Sequence, residues 1–236
     1  MQEYFIDRPL SAGDLIELPR DKAHHAFNVL HLQHETVRLV SSGRGYFADV
    51  YREQDRGLAR ILSEDPCVNE LSSDITLCMA LIRKEKFELV IQKATELGVS
   101  RIVPFVSSRC VAKDRQERAD KIMRRREAIA LEAAEQCKRN RVPEVLAPVK
   151  LSDLNGFLSD VNIAAYEKAG TQAQSLKDLL PASSLTAVVG PEGGFSEEEM
   201  EILQRFGFSP VTLGNRILRA ETAAYYICSV AGELCR

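Results

Sequence analysis

Short apolar runs separated by polar breaks characterise residues 1–63 and predict strands joined by tight turns. The segment Ser41–Gly45 lies between two such runs and predicts a hairpin. A helical pattern from Lys22 to Leu30, with Asp21 as its N-cap, interrupts the strands. Mostly antiparallel strands with tight turns indicate a small barrel. The predicted strands are Asp14–Leu18, Thr36–Val40, Tyr46–Tyr51 and Leu58–Leu62.

A polar, proline-containing segment, Glu64–Ser73, separates this part from a different pattern. Beyond it, Ile75–Ile82 is almost continuously apolar, as expected of a strand buried on both faces. Lys86–Leu97 follows with helical spacing, and Gly98 is placed to end that helix. Its apolar face is formed by Phe87, Val90, Ile91 and Ala94. Arg101–Val106 is then a strand, and a strand–helix–strand unit predicts a parallel sheet.

Helices and strands continue to alternate up to the C-terminus. A long helix is predicted over Asp114–Gln136, with arginines on its polar face. Ser196 and Glu199 form a capping-box pattern that starts another helix, which ends at about Phe206 with Gly207 as its cap. A closing amphipathic helix begins at Glu221. Its apolar positions are Ala224, Ile227, Cys228, Ala231 and Leu234. The remaining strands are Asn162–Tyr166, Ser184–Val189 and Pro210–Leu213. We therefore predict two domains, a β domain over residues 1–70 and an α/β domain over residues 74–236.

Three predicted strands end at polar or glycine-rich loops, namely Tyr166–Glu167, Gly190–Gly194 and Gly214–Leu218. Because ligands of parallel α/β sheets bind beyond the carboxyl ends of the strands, we expect these loops to meet at one edge. Glycine lets backbone amides approach a ligand, and clustered N–H groups favour polar or anionic groups. The loops therefore predict a site for a small polar cofactor. The Rossmann, P-loop and Gly-x-Ser-x-Gly motifs are absent, which argues against those classes of enzyme.

Charge is distributed unevenly along the chain, whose net charge is −3. Residues 83–141 carry 16 Lys/Arg and 9 Asp/Glu, a net charge of +7, between two acidic parts. Such a basic region binds phosphates locally, although solvated helix faces would give the same distribution. Lys138, Arg139 and Arg141, followed by Pro143, form a candidate phosphate clamp. The attraction of cations to helix C-terminal carbonyls explains one or two of these residues equally well.

Several other kinds of site are disfavoured. No apolar run approaches the roughly 18 to 20 residues of a membrane span, and the first residues do not form a signal peptide, so we expect a cytoplasmic protein with no membrane partner. The six cysteines include no Cys-x-x-Cys pair and favour reduced thiols. The four histidines, all between residues 24 and 34, have no cysteine or paired carboxylate at zinc-ligand spacing, so we expect no metal.

The loops also carry motifs that resemble a known family. These motifs are Gly190–Gly194 (Gly-Pro-Glu-Gly-Gly), Leu213–Thr222 (Leu-Gly-Asn-Arg-Ile-Leu-Arg-Ala-Glu-Thr), Lys93–Val99, Ser108–Cys110 and Glu135–Glu144. Together they resemble the RsmE family of ribosomal small-subunit RNA uridine-N3 methyltransferases, which belong to the SPOUT class. The resemblance spans most of residues 75–236. Before residue 75 it is weaker, although the size and strand pattern resemble the family's PUA-like barrel.

The resemblance implies an α/β SPOUT domain with a parallel sheet and a deep C-terminal trefoil knot, beside a small N-terminal PUA-like β-barrel. It implies S-adenosylmethionine as cofactor and 16S ribosomal RNA of the small ribosomal subunit as substrate, with N3-methyluridine as product. It also implies a homodimer joined through the knot and the closing helix.

On this resemblance, backbone groups of the glycine-containing loops hold the cofactor, and Leu218 is an apolar wall for adenine. The expected cofactor residues are Tyr166, Glu167, Val189, Gly190, Glu192, Gly193, Gly194, Leu213, Gly214, Asn215, Ile217, Leu218 and Thr222. Arg219 and Arg139 are candidates to stabilise negative charge on the uracil oxygens, unless they only bind phosphate. Glu221 is a candidate base. Contacts with the RNA backbone are expected from Arg109, Lys138, Arg139 and Arg141.

The chain departs from the family pattern at several positions. Asn215 stands where proline is frequent, and Ala220 where threonine is common. Asn28 and His31 occupy places where arginines are frequent, which weakens the case that this helix grips RNA. Two rival functions stay open. One is a SPOUT methyltransferase acting on another RNA, and the other is a non-catalytic RNA-binding or ribosome-assembly factor, against which the intact glycine loops argue.

Overall fold

The computed structural model describes residues 1–110, 119–170 and 174–235. Contacts within the chain define two compact units. The first comprises Met1–Glu70 together with Ala134–Arg141, and the second comprises Leu71–Ala133 and Val142–Arg236.

The first unit is built on a five-stranded mixed sheet. Its strands are β1 (Glu3–Phe5), β2 (Leu15–Glu17), β3 (Glu35–Ser41), β4 (Arg44–Glu53) and β5 (Arg56–Asp65). They lie in the order β1-β3-β4-β5-β2, in which β1 pairs with β3 in parallel and the other pairs are antiparallel. Alternate residues of β3 and β4, such as Val37, Leu39 and Val50, form its core with Phe27.

All four strands predicted for this unit are present, and the hairpin between β3 and β4 is confirmed. β1 was not predicted because three residues are too few to show a period. The predicted helix is found as α1 (Arg20–His24), continued by a π-helical turn over His25–Val29. The predicted cap is wrong, since Pro19 precedes the helix and Asp21 lies inside its first turn. There the carboxylate is close to the positive end of the helix dipole.

The second unit is an α/β structure around a parallel sheet of seven strands. Its strands are β6 (Asp74–Ala80), β7 (Arg101–Val106), β8 (Glu144–Val145), β9 (Val149–Lys150), β10 (Val161–Ala165), β11 (Ser184–Val189) and β12 (Ser209–Val211). Its helices are α2 (Lys84–Glu96), α3 (Ala119–Cys137, which ends within the first unit), α4 (Leu176–Leu179), α5 (Glu197–Arg205) and α6 (Ala220–Leu234), with a 3₁₀ helix over Leu151–Phe157. The order is β12-β10-β11-β6-β7-β8, and β9 also pairs with β7. Because β12 lies beside β10, the chain crosses over β10 between β11 and β12.

Both faces of this sheet are covered by helices. Ile75, Leu77 and Met79 of β6 belong to one core with residues of α2 and α6. Cys78 and Ala80 belong to a second core with residues of α5 and the 3₁₀ helix. The prediction of a strand buried on both faces is therefore confirmed. So is the strand–helix–strand unit, since β6 and β7 pair in parallel around α2.

The helix predictions are mostly confirmed in this unit. The capping box of α5 is present, with Ser196 Oγ accepting from the Glu199 N–H at 3.2 Å. α6 buries four of the predicted apolar positions, whereas Leu234 is 36% exposed at the edge of the apolar stripe. Of the long helix predicted over Asp114–Gln136, residues 114–118 lie outside the described residues. Two-residue strands such as β8 and β9 carry no periodic signal, so they were not predicted.

Candidate functional site

The carboxyl ends of β10, β11 and β12 lie side by side and border a cavity of about 250 Å³. The Tyr166 N–H, one residue past β10, donates to the Val211 carbonyl of β12 at 3.1 Å, which holds two of the strand ends together. The loops after all three strands line the cavity, so the predicted convergence is observed. The lining residues are Ala165, Tyr166, Glu167, Val189, Gly190, Pro191, Glu192, Gly193, Gly194, Phe195, Thr212, Leu213, Gly214, Asn215, Arg216, Ile217, Leu218, Ala220 and Ala223.

Every residue expected to hold a cofactor lines this cavity except Thr222. Thr222 lies in the first turn of α6 and lines a separate groove along that helix. Arg216 also lines the cavity but was not among the predicted cofactor residues, although it lies within the motif Leu213–Thr222. Together with Glu167 and Glu192 it provides the charged side chains of the lining.

The first loop, Gly190–Gly194, hereafter the glycine loop, is a tight turn closed by a hydrogen bond from the Gly194 N–H to the Pro191 carbonyl at 2.9 Å. Gly194 has φ +65°, and a Cβ there would lie 3.0 Å from Glu167 Oε1. A Cβ on Gly190 would lie 3.1 Å from the Phe195 ring. Both positions need glycine because the chain's own side chains occupy the space next to them.

The second loop, Leu213–Arg219, follows β12. Gly214 has φ +106°, a conformation that L side chains rarely adopt. Thr212 Oγ1 accepts from the Gly214 N–H at 3.3 Å, which fixes the start of the loop. Ile217 is 86% exposed, so an apolar side chain is presented to solvent beside the cavity.

Arg219 and Glu221 lie at the start of α6. Arg219 is exposed and stands between Leu218 and Ala220, which both line the cavity. Glu221 Oε1 is 2.9 Å from Lys86 Nζ on α2. Burial acts to raise the pKa of Glu221, but the Lys86 ammonium and a backbone N–H lower it overall. A carboxyl group with a lowered pKa accepts a proton less readily than a general base whose pKa lies near neutrality.

Arg109, predicted to contact RNA, lies in the loop after β7 and reaches the glycine loop. Its Nη1 donates to the carbonyl oxygens of Gly193 at 3.0 Å and Phe195 at 3.3 Å. The side chain thus contacts the backbone of a loop that lines the cavity.

The candidate phosphate clamp lies in the first unit, in the loop after α3. Arg139 is only 3% exposed, and its Nη2 and Nε donate to Glu70 Oε2 at 2.5 and 3.2 Å. Glu70 Oε1 also accepts from the N–H groups of Asn140 and Arg141, at 2.8 and 3.1 Å. Lys138 Nζ donates to a carbonyl in the last turn of α3, whereas Arg141 is exposed. Arg141 therefore presents its charge to solvent, and Arg139 does not.

A second buried cation, Arg38 of β3, supports the same loop and was not predicted. It is 2% exposed and donates to Glu3 Oε2 and Asp65 Oδ2, each at 2.7 Å, and to Asn140 Oδ1 at 3.2 Å. Burial acts to lower the pKa of Arg38, but the hydrogen bonds to Glu3 and Asp65 raise it overall. The sequence signal was weak, since an arginine within the apolar run Thr36–Val40 also fits an exposed strand position.

Two negative findings apply to residues 1–110, 119–170 and 174–235. No three His, Cys, Asp or Glu side chains are grouped so that they could hold a metal ion. No helix there is both long and apolar enough to cross a membrane.

Comparison with known proteins shows similarity along nearly the whole chain. The family model described as RNA methyltransferase domain matches residues 69–232. The ribosomal RNA small subunit methyltransferase E of Bacillus subtilis is 32% identical in an alignment 243 residues long, gaps included, that spans 97% of this chain and 95% of that protein. The crystal structure of the enzyme of the same name from Neisseria gonorrhoeae, bound to S-adenosyl methionine, has a TM-score of 0.90 at 32% identity and covers 99% of this chain and 98% of that one. A Legionella pneumophila structure with the bound cofactor SAM has a TM-score of 0.87 at 30% identity and covers 98% and 96%. This chain therefore belongs to the ribosomal RNA small subunit methyltransferase E (RsmE) family, within the RNA methyltransferase domain family.

Proposed function

We propose that this chain transfers a methyl group from S-adenosylmethionine to N3 of a specific uridine in 16S ribosomal RNA. The observation that carries the proposal is the convergence of three strand-end loops on one cavity, in a chain of this methyltransferase family. Two similar structures hold S-adenosylmethionine, which supports the choice of cofactor. Because this substrate is found in the cytoplasm, the protein is proposed to act there.

The lining of the cavity fits this cofactor chemically. Among the described residues, the N–H groups of Leu213, Ile217 and Leu218 make no hydrogen bond within the chain, so they are available to a polar ligand. The carboxylates of Glu167 and Glu192 favour a cationic ligand group. In this proposal, backbone groups of both loops would hold the cofactor, and the Leu218 side chain would provide an apolar wall for its adenine. When bound, the cofactor supplies a methyl group on a positively charged sulfur, which needs positioning more than activation.

The uridine must lose its N3 proton before the nitrogen can attack. The negative charge left by that proton would be shared with the uracil oxygens, where a nearby cation would stabilise it. Arg219 is the stronger candidate to stabilise that charge, because it is exposed and flanked by cavity residues. Arg139 is the second candidate, but its guanidinium would first have to leave Glu70. Glu221 is the candidate base, although its lowered pKa weakens that assignment.

The decisive experiment is methyl transfer to small ribosomal subunits from cells that lack this modification, followed by mapping of the modified base. We expect one N3-methyluridine in 16S RNA from the wild-type chain, and loss of transfer in Arg219→Gln with cofactor affinity retained. Transfer to transfer RNA or to large subunits alone would assign the chain to another RNA. Calorimetry with S-adenosylmethionine tests the non-catalytic rival, because a pure RNA-binding factor should release no heat.

The fold proposed with this function includes two features of the family pattern. One is a trefoil knot built from the loops around the cavity, a fold feature that allows the crossover of the chain over β10. In the first unit, β1 and β2 are the outer strands of the sheet, and their approach would close it into a PUA-like barrel.

We also propose that the protein is a homodimer that buries the exposed side of α6. Tyr226, Val230 and Leu234 recur at four-residue spacing along a groove of about 460 Å³, and Tyr226 is 44% exposed. Val230→Glu should therefore yield monomers in analytical ultracentrifugation. Leu158→Glu, at a position that is 47% exposed outside the groove, is the control and should not change the mass. A wild-type monomer would contradict the proposal.

A further inference from the structure

The glycine loop is held from outside by the loop Ser107–Cys110, which follows β7. Arg109 Nη1 donates to the carbonyl oxygens of Gly193 and Phe195, at 3.0 and 3.3 Å. One guanidinium nitrogen therefore bridges the two carbonyls on either side of Gly194, at the C-terminal end of the glycine loop. The two partners are separated by 84 and 86 positions in sequence, so this contact exists only in the folded chain.

A second connection joins the loop Ser107–Cys110 to the start of α5, just after the glycine loop. Glu199 is 7% exposed, and its Oε1 accepts from the Ser108 N–H at 2.7 Å while its Oε2 accepts from the Ser196 N–H at 3.0 Å. Burial acts to raise the pKa of Glu199, but these backbone hydrogen bonds lower it overall, which keeps the carboxylate charged. The carboxylate thus ties the start of α5, just after the glycine loop, to the residue next to Arg109.

A loop with so many glycines needs such external contacts to keep one shape. Glycine loses more conformational freedom on ordering than any other residue, and it has no side chain with which to pack. Gly194 also has a left-handed φ of +65°. A loop that is free to move would have to be ordered by each ligand that binds, and that cost would reduce affinity.

We propose that Arg109 and Glu199 are positioning residues that hold the glycine loop in its cofactor-binding shape. The inference rests on the proposed function and assigns Arg109 to the cofactor side of the site instead of the RNA backbone. Arg109 Nη1 donates to two carbonyls of the loop backbone, and Glu199 fixes the adjoining backbone. Neither residue contacts the cofactor or the uridine in this role.

Two measurements separate this role from RNA contact. Calorimetry gives the affinity for S-adenosylmethionine, and binding to 16S RNA at several salt concentrations gives the number of phosphates contacted. We expect Arg109→Ala to weaken cofactor binding about tenfold, as for loss of a charged hydrogen bond. Arg109→Lys keeps the charge but lacks the planar fork, so it should also weaken cofactor binding, while RNA affinity and its salt dependence stay unchanged in both variants. Glu199→Gln should weaken cofactor binding as well.

Arg205→Ala is the matched control, because it removes an exposed cation from α5, the helix that carries Glu199, away from the glycine loop. It should change neither affinity. Thermal unfolding without cofactor should be similar for the wild type, both Arg109 variants and Arg205→Ala, and only the Arg109 variants should lose part of the stabilisation by added cofactor. Glu199→Gln also weakens the capping box of α5, so it should unfold at a lower temperature without cofactor. A loss of RNA affinity with a shallower salt dependence in Arg109→Ala, and with cofactor binding intact, would overturn the inference. Equal losses of cofactor affinity and of stability without cofactor in Arg109→Ala would also overturn it, since they indicate a general structural role. If the wild type binds no S-adenosylmethionine, the proposed function fails as well. If it binds and the variants bind equally, only this inference fails.

Discussion

Removing the Glu70 carboxylate is expected to destabilise the chain and to open the loop after α3. This carboxylate accepts from the guanidinium of Arg139 and from the N–H groups of Asn140 and Arg141. The two side chains of the ion pair are only 15% and 4% exposed. Glu70→Gln keeps the size of the side chain but removes its charge, so the guanidinium stays buried without this counter-ion.

The size of the effect follows from the burial of the pair. Removing one partner of a buried ion pair costs about 3–5 kcal/mol, and we expect about 3 kcal/mol here because water reaches the edge of Glu70. Arg139→Gln should cost a similar amount. The double variant removes both charges of this pair, so it should be more stable than the sum of the single changes implies, by roughly 1–2 kcal/mol.

Urea unfolding of the full chain measures these free energies, and hydrogen exchange of the Asn140 and Arg141 amides reports local opening of the loop. Arg44→Gln is the control, since its pair with Glu64 is exposed and should contribute less than about 1 kcal/mol. Single variants as stable as the control, or a double variant whose cost is the plain sum, would refute the reasoning.

The same variants distinguish two roles for Arg139 in methylation. If its guanidinium contacts uracil, Glu70→Gln should retain methyl transfer per folded molecule, because the guanidinium is still present. Arg139→Gln should then lose transfer with little change in cofactor affinity. If Arg139 only shapes the loop, both variants should lose RNA affinity in parallel. Equal loss of transfer and of cofactor affinity in Arg139→Gln argues against any role on the RNA side.

Three further predictions concern the second unit. Gly190→Ala places a Cβ 3.1 Å from the Phe195 ring and should destabilise the fold by about 1–3 kcal/mol in urea unfolding, with weaker cofactor binding in calorimetry. The Lys86 ammonium lowers the pKa of Glu221, so the charged carboxylate stabilises the fold above its ordinary pKa. This stabilisation is lost as the pH falls through the lowered pKa. Lys86→Met should therefore lose less stability on acid titration than the wild type. Ser196→Ala removes the cap of α5 and should cost about 1 kcal/mol; an unchanged urea midpoint would contradict the capping role.

The parts of the fold that were predictable from sequence are those decided by local patterns. The continuous apolar run of β6 requires burial on both faces, and the structure has helices on both. The spacing of Phe87, Val90 and Ile91 fixes which face of α2 is buried. The loops after β10, β11 and β12 were expected to meet because the carboxyl ends of neighbouring parallel strands share one edge.

The parts that were not predictable depend on partners distant in sequence. β1 has three residues and exists as a strand because it pairs with β3. The residues next to Arg38 and Arg139 in sequence do not mark these arginines as buried. Their carboxylate partners, Glu3, Asp65 and Glu70, are distant in sequence and meet them only in the folded chain. No local pattern distinguishes a buried, paired arginine from an exposed one that is free to bind phosphate, so charge counts overstate the cations offered to RNA.

The glycines of the glycine loop were correctly predicted to lie at the cavity, but space for a ligand is only part of the reason why glycine is present there. The glycines suggest space for a ligand, yet Cβ atoms on Gly190 and Gly194 would lie only 3.1 Å from the Phe195 ring and 3.0 Å from Glu167 Oε1. These glycines therefore allow the chain to pack against itself closely enough for a fixed turn. A fixed turn presents its backbone groups in one arrangement, so a ligand can bind without first ordering the loop. Close packing of the loop and ligand binding therefore require glycine at the same positions. Substitution of these glycines should consequently affect stability and cofactor affinity together, whereas changes in the contacts from the β7 loop should affect mainly cofactor affinity.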